Sequence, residues 1–440
     1  MRDLAQSAPA ASTLSFRPIN LGRWLVWGGF ALILLVAPWI STRGAALSIL
    51  CQIGTVMLFG LSYNMLLGQG GMLSFGHAVY SGLGGFVAIH VMNQAGAPGG
   101  VFVPTTLIPL VGGFAGMFFG VLFGYVTTRK SGTTFAMITL GLVELVFAAS
   151  LMFPGFFGGE GGVTTNRVVG QPFLGVTGLT FGPQIQVYYL IAFWLFISTV
   201  AMFAFTQTPL GRMLNAVRDN PERVSFIGYD AQWVRYLALI ASSFFAGISG
   251  ALGAINFEIV SAENVSALRS GSILLFVFIG GIGFFFGPLL GAIVGIGFVV
   301  MLSEYTAAWQ LYLGLFFVAL VRFAPAGLAS LLMLLLRVAR FGRFGRIRMH
   351  LAAVCACVLV ALTGLVLAVE LLYRRTLEAA NGAPTMWFGL PLDAHAPAPW
   401  LLAAGLFVIG VLAWRRTAPA YMARWHELNG EIAQLTRGQP

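Results

Sequence analysis

The sequence predicts an all-α, polytopic transmembrane helical bundle of about ten spans, interrupted by glycine-rich irregular or re-entrant segments. Three observations carry this reading. Of the 440 residues, 58% are hydrophobic and only 9% charged, too few to clothe a soluble protein of this size. Apolar runs recur along the whole chain at lengths that match a hydrocarbon core of about 30 Å. Glycine and proline fall inside those runs, as in "LLGQGGMLSFGHAVYSGLGGF" and "FIGGIGFFFGPLLGAIVG".

The runs lie near residues 24–40, 46–67, 72–92, 103–127, 134–153, 187–206, 236–256, 272–302, 309–335, 351–373 and 399–414. The first follows Arg17 and Arg23 and lacks a small-residue cleavage site, so it reads as a retained signal anchor rather than a cleaved leader. Cys51, Cys355 and Cys357 sit inside apolar runs and offer neither a disulfide framework nor a zinc site. The formal net charge of +10 would suggest nucleic acid in a soluble protein. In a lipid bilayer it reports orientation, and no nucleic-acid partner is expected.

Arginine placement sets that orientation. Arg129 and Lys130, the stretch Arg212 to Arg235, the stretch Arg337 to Arg348, and Arg415 with Arg416 should all face the cytoplasm. With the N-terminus (1–23) inside, simple alternation works as far as Arg235 and leaves Glu258 to Arg269 outside. A single crossing by 272–302 would then put Arg337 to Arg348 outside. That run should therefore be a hairpin or re-entrant loop, broken at Gly287 and Pro288 and returning Ser303 to Ala308 to the outer side. Gly68, Gly70 and Gly71 mark a second turn between apolar runs. Asn64, Ser74 and His77 then fall within the bundle, either lining a route or hydrogen-bonding neighbouring helices.

The segment 24–336 is read as the transmembrane domain, its cytoplasmic loop spanning 207–235. Residues 337–440 form an extension with a basic stretch and two further apolar runs. In the loop "TPLGRMLNAVRDNPERVSFIGYD", Thr208 can cap a helix and Pro209 suits its first turn. Leu210, Met213, Leu214 and Val217 recur on one face, with Arg212, Asn215 and Asp219 elsewhere, until Asn220 and Pro221 stop the run. Such a helix can lie on headgroups or insert its stripe into a groove of a cytoplasmic partner.

The loop "GRMLNAVRDNPERVSFIGYD" with the following "YLALIASSFFAGISGALGAI" resembles the coupling loop and next span of the LivM-type branched-chain amino acid permeases of ATP-binding-cassette importers. "LLGQGGMLSFGHAVYSGLGGF", "TTFAMITLGLVELVF", "GGEGGVT" and "IGGIGFFFGPLLGA" resemble the same family in its usual order, over roughly Ala46 to Leu328. The resemblance implies a bacterial inner-membrane permease paired with a homologous second permease, two cytoplasmic ATP-binding subunits and a periplasmic solute-binding protein. It also implies inward movement of branched-chain amino acids by alternating access. Permeases for urea or short-chain amides share the "RVSFIGYD"-like wording and are the alternative. ATPase coupling would fall on Leu210, Gly211, Arg212, Met213, Leu214, Ala216, Val217, Arg218, Glu222 and Gly228. The tail after "VRFAPAGL" departs from the family pattern.

The chain has one lysine, Lys130, preceded by Arg129 rather than glycine, so it lacks a G-x-x-x-x-G-K-[ST] phosphate loop. No cofactor is expected on this chain; ATP and Mg would be used by separate subunits. His77, His90, His350, His395 and His426 show no metal spacing, and no G-x-S-x-G elbow occurs, so neither catalytic nor metal-binding residues are expected. An ion-coupled secondary transporter would need paired intramembrane ionisable groups. Glu144 is the one plain intramembrane acid, and it joins Asn64, Ser74 and His77 as a candidate pathway residue.

Overall fold

The computed structural model describes residues 21–40, 44–97, 103–168, 180–341, 344–377, 385–387, 390–392 and 395–437. The helices are α1 (Leu21–Ile40), α2 (Gly44–Asn64, continued by a π-turn at Met65–Gln69), α3 (His77–Gly96), α4 (Ile108–Thr127) and α5 (Thr133–Met152). After the short α6 (Pro154–Phe157) come α7 (Gln184–Gln207), α8 (Pro209–Asp219), α9 (Pro221–Phe226) and α10 (Ala231–Phe257). Then follow α11 (Ala267–Gly280), α12 (Gly287–Ile296, continued by a π-turn at Gly297–Leu302), α13 (Trp309–Phe323), α14 (Leu328–Arg340), α15 (Phe344–Leu377) and α16 (Pro397–Arg437). The strand content is two small antiparallel ladders: β1 (Val163–Thr164) with β2 (Ile259–Val260), and β3 (Thr385–Trp387) with β4 (Leu390–Leu392).

Among the described residues, seven helices are long and apolar enough to cross a bilayer by themselves, and the bent pair α13–α14 makes an eighth. That gives up to eight against the expected ten: the apolar part of α1, Trp24–Ile40, is shorter than a full span, and α3 is not apolar enough to count. The sequence of α3 is too polar and glycine-rich to resemble a lipid-facing helix because its surroundings are protein. It packs with α4 and α10 through glycines, where backbones approach as closely as small residues allow. A Cβ on Gly247 would fall onto the Gly112 carbonyl, and one on Gly250 onto the Ser81 carbonyl.

The run 272–302 is a hairpin. α11 and α12 are each too short to span, and they run antiparallel: Gly291 and Gly295 of α12 lie against Phe276, and Gly287 lies against Gly280. Ser303 therefore returns toward the end where α11 begins. The break comes earlier than Pro288 suggests. Gly281, at φ +111°, ends α11, and Pro288 occupies the first turn of α12, where its missing N–H is harmless. The run 309–335 is not one straight span either. It bends by 51° between Phe323 and Leu328, where Gly327 adopts φ +81°. The expected domain boundary at 336/337 falls inside α14, which continues to Arg340. Similarly, the loop expected at 207–235 is shorter than that, since α7 reaches Gln207 and α10 starts at Ala231. Most of the N-terminal segment 1–23 lies outside the described residues.

On the side opposite α8, Arg167 ties three segments together. Its five N–H groups donate to the carbonyls of Phe181 (2.8 Å), Ile255 (3.4 Å), Asn256 (3.2 Å) and Gly182 (3.2 Å) and to Gln184 Oε1 (3.0 Å). Glu258, in the left-handed region at φ +56°, lies 3.6 Å away as counterion. Arg167→Met leaves these acceptors without their donor, at a cost of about 2 kcal/mol or more. A lower melting temperature of the purified chain in detergent is expected, with a smaller drop for Gln184→Ala; an unchanged Arg167→Met melt would contradict the latch.

Candidate functional site

The amphipathic helix of the 207–235 loop forms where the sequence signals it. Thr208 Oγ accepts from Gly211 N–H (3.2 Å), and Pro209 takes the first turn. Asn220 and Pro221 end α8 by starting another helix: Asn220 Oδ1 accepts from Arg223 N–H (3.0 Å) and caps α9. Asp230 caps α10 through Gln232 N–H (2.7 Å). Gly228 makes the intervening turn at φ +87°.

The apolar stripe faces inward, which corrects the expectation that it is free to enter a partner's groove. Leu214 is 0% exposed and Val217 3%, and Gly211 is buried against the Phe205 carbonyl, where a side chain would not fit. Leu210, Met213 and Ala216 are half-buried against the same core. The helix is amphipathic because one face seats on its own chain. What it leaves exposed is Arg212, Arg218, Asp219 and, on α9, Glu222 and Arg223. Beyond them stand Phe226 (86% exposed), Ile227 (64%), Tyr229 (50%) and Trp233 (54%). Sequence periodicity misses this second apolar set because it lies in and after a turn, off the α8 stripe; "SFIGYD" in a polar loop is the signal that could have found it.

α8 is clamped to the irregular end of α2. Asn215 Nδ2 donates to Gln69 Oε1 (2.9 Å), the Arg218 guanidinium donates to the Gly68 carbonyl, and the Leu214 side chain packs on Gly70. Asn215 is thus part of the contact rather than on an indifferent face. The π-turn in turn meets the tip of the α11–α12 hairpin. Asn64 Nδ2 donates to the Phe284 carbonyl (3.3 Å), and Gly68 lies under the Ile282 carbonyl. The tip touches the third discontinuity, with Gly281 against Ala326 and Gly327. One contiguous set of contacts therefore joins the loop helix to three backbone breaks.

Three candidate pathway residues come together next to this cluster, but as packing. Asn64 is 3% exposed, and Ser74 and His77 are 0%. Ser62 Oγ donates its proton to the Phe59 carbonyl (2.7 Å), so its 3.1 Å contact with His77 is assigned as His77 Nε2–H donating to Ser62. The ring is stacked on Phe59 and edged by Tyr63 and Tyr80. Backbone groups in and just after the irregular link 70–76 are met by side chains of other helices. Tyr63 Oη donates to the Ser74 carbonyl (2.8 Å), Phe75 N–H donates to Thr139 Oγ1 (3.1 Å), and Ala78 N–H donates to Ser270 Oγ (3.0 Å). Irregular backbone of this kind persists inside a membrane protein only where protein or a cavity covers it. Asn64 Oδ1, Ser74 Oγ and His77 Nδ1 are buried with no hydrogen-bond partner of their own among the described residues.

Glu144 is not brought to that cluster. It sits on the exposed face of α5 with Met137 (70% exposed) and Leu145 (62%), about 12 Å along the helix from its Met152 end. Among the described residues it has no ion-pair partner.

Residues 45–324 match the family described as branched-chain amino acid transport system / permease component. Two curated relatives carry the description high-affinity branched-chain amino acid transport system permease protein LivM. The one from Escherichia coli (strain K12) is 26% identical over 317 residues, covering 68% of this chain and 73% of the relative. The one from Salmonella typhimurium (strain LT2) is 25% identical over 316 residues with the same coverage, 68% and 73%. No solved structure matches the chain. The matched segment begins at the start of α2, ends at the break after α13, and contains the loop helix, the hairpin and the latch. The chain is a multi-pass integral membrane protein and belongs to the branched-chain amino acid transport permease family.

Proposed function

We propose that this chain is the permease subunit of an ATP-binding-cassette importer that moves branched-chain amino acids inward by alternating access across a bacterial inner membrane, its N-terminus in the cytoplasm. The carrying observation is the clamp of α8 on the break at 65–71, which meets the hairpin tip at 281–286, which in turn meets the bend at 324–327. Helices joined at such breaks can reorient as rigid pieces, and a force applied to the loop reaches all of them through packed contacts. This chain has no phosphate loop, so the force comes from two cytoplasmic ATPases using ATP and Mg, and a periplasmic solute-binding protein delivers the substrate. Leu210, Gly211, Met213, Leu214, Ala216 and Val217 hold the lever to the membrane domain. Arg212, Arg218, Glu222 and the Phe226–Tyr229 turn around Gly228 meet the ATPase.

Glu144 supports a homologous second permease. A carboxylate exposed to hydrocarbon in mid-helix is costly, so the α5 face is read as covered by protein, with Glu144 toward a shared route. A route otherwise poor in charge suits substrates with apolar side chains.

The coupling surface is tested by Phe226→Ser with Tyr229→Ser. Both positions are exposed, so membrane abundance should be unchanged while ATPase recovered with the tagged chain falls by about tenfold, the factor that about 1.4 kcal/mol implies. Undiminished recovery would move the ATPase contact elsewhere.

A further inference from the structure

The tail beyond the family match folds as a helical hairpin. Gly364 of α15 lies against the backbone of Ala403 and Phe407, and Gly410 of α16 against Ala361, so the two helices cross closely along their length. One end is fixed to α13 by Tyr312 Oη, which donates to Glu370 Oε1 (2.9 Å). At the other end the contact is aromatic: the Phe323 and Trp414 rings meet edge to face at 6.1 Å. Beside the aromatic contact the hairpin does not close against Phe323. A cleft of about 170 Å³ remains, lined only by apolar side chains, among them Val358, Ala361 and Leu365 of α15, Phe407 and Trp414 of α16, and Phe323. It is open to the surroundings, since Phe323 is 66% exposed, Leu362 on its rim 47% and Phe407 42%.

The mouth of the cleft is positive. The Arg322 guanidinium lies 5.6 Å from the Phe323 ring centre, Arg415 stands one turn beyond the lining Val411 on α16, and Arg416 lies next to it on the neighbouring face; all three are exposed. No acid opposes them nearby in sequence. Residues 322–369 hold six arginines and no aspartate or glutamate, and residues 394–426 hold three arginines and no acid. An apolar cleft in the bilayer, capped by aromatic rings and a purely basic rim, has the chemistry of a lipid site for an anionic headgroup.

We infer that this cleft binds an anionic glycerophospholipid, one acyl chain lying along the tail hairpin beside Phe323 of α13 and the phosphate resting on Arg322 and Arg415, with the charge of Arg416 nearby. The occupant is a lipid rather than a protein helix because the volume admits a chain and not a helix about 10 Å across. The negative charge follows from the rim, each arginine adding attraction near a membrane surface. The site gives the extension a task that does not depend on the transport reading: it seats a lipid against α13, one segment before the break at Gly327.

The test is lipid retention by the full-length chain, purified in mild detergent in its native assembly and offered phosphatidylglycerol or phosphatidylethanolamine with matched acyl chains. Native mass spectrometry should find phosphatidylglycerol retained over phosphatidylethanolamine by at least about tenfold, the preference that about 1.4 kcal/mol gives. Combined Arg322→Gln, Arg415→Gln and Arg416→Gln should abolish the preference with an unchanged melting temperature, since all three side chains are exposed. Leu362→Trp, filling the cleft from its rim, should reduce retention of both lipids. Equal retention of the two lipids by the unsubstituted chain would overturn the inference, as would a preference that survives the triple substitution. Retention undiminished by Leu362→Trp would overturn the placement of the acyl chain.

Discussion

Leu214→Asp is expected to remove the chain from the membrane fraction rather than to uncouple it. Leu214 is 0% exposed and rests on Gly70 at the end of α2. The substitution loses the packing of a buried leucine, about 2–5 kcal/mol, and adds a buried carboxylate whose neighbouring cation, Arg218 one turn on, is already engaged with the Gly68 carbonyl. Set against a typical net stability of about 5–15 kcal/mol, the sum is enough to populate unfolded chain. Immunoblots of membranes and size-exclusion profiles of the tagged chain give the readout. Normal abundance and a sharp profile, with only the ATPase lost, would mean that the stripe is a docking surface and that its inward seating is wrong.

Gly327→Val should be as severe, through the backbone. The residue sits at φ +81°, which a β-branched side chain does not tolerate, and an added Cβ would fall onto the Gly281 backbone. Gly281 is itself at φ +111°, so neither side of the contact can give way without moving the hairpin tip. Loss of folded chain is expected from Gly327→Val, whereas Ala326→Ser, which keeps the backbone, should leave the chain folded. Wild-type abundance and uptake with Gly327→Val would show that the contact between hairpin and bend is dispensable.

Much of this architecture is readable from composition and charge alone. Apolar runs mark the spans because lipid demands them, and the arginines from 337 to 348 demand a hairpin somewhere in 272–302 for reasons of side rather than of local geometry. The caps at Thr208, Asn220 and Pro221 are legible because capping is a short-range rule. What periodicity hides is which partner an apolar face meets. Leu210 to Val217 reads the same whether it enters another subunit or seats on α7, α10 and the end of α2. His77 and Ser74 likewise read either as pathway residues or as packing, and periodicity does not reveal that both are buried, His77 among Phe59, Tyr63 and Tyr80. The bend at 324–327 is invisible in hydropathy, since apolar residues continue through it, although the "APAG" within it is a breaker signal.

The proposed role requires that this permease move branched-chain amino acids at the expense of ATP hydrolysed by another chain. The direct measurement is uptake of labelled leucine by vesicles holding the co-purified assembly, with ATP inside and the periplasmic binding protein outside. Leucine should accumulate only when both are present, while labelled urea and acetamide stay out. Uptake driven by a proton gradient with no ATPase bound, or entry of urea with leucine excluded, would contradict it.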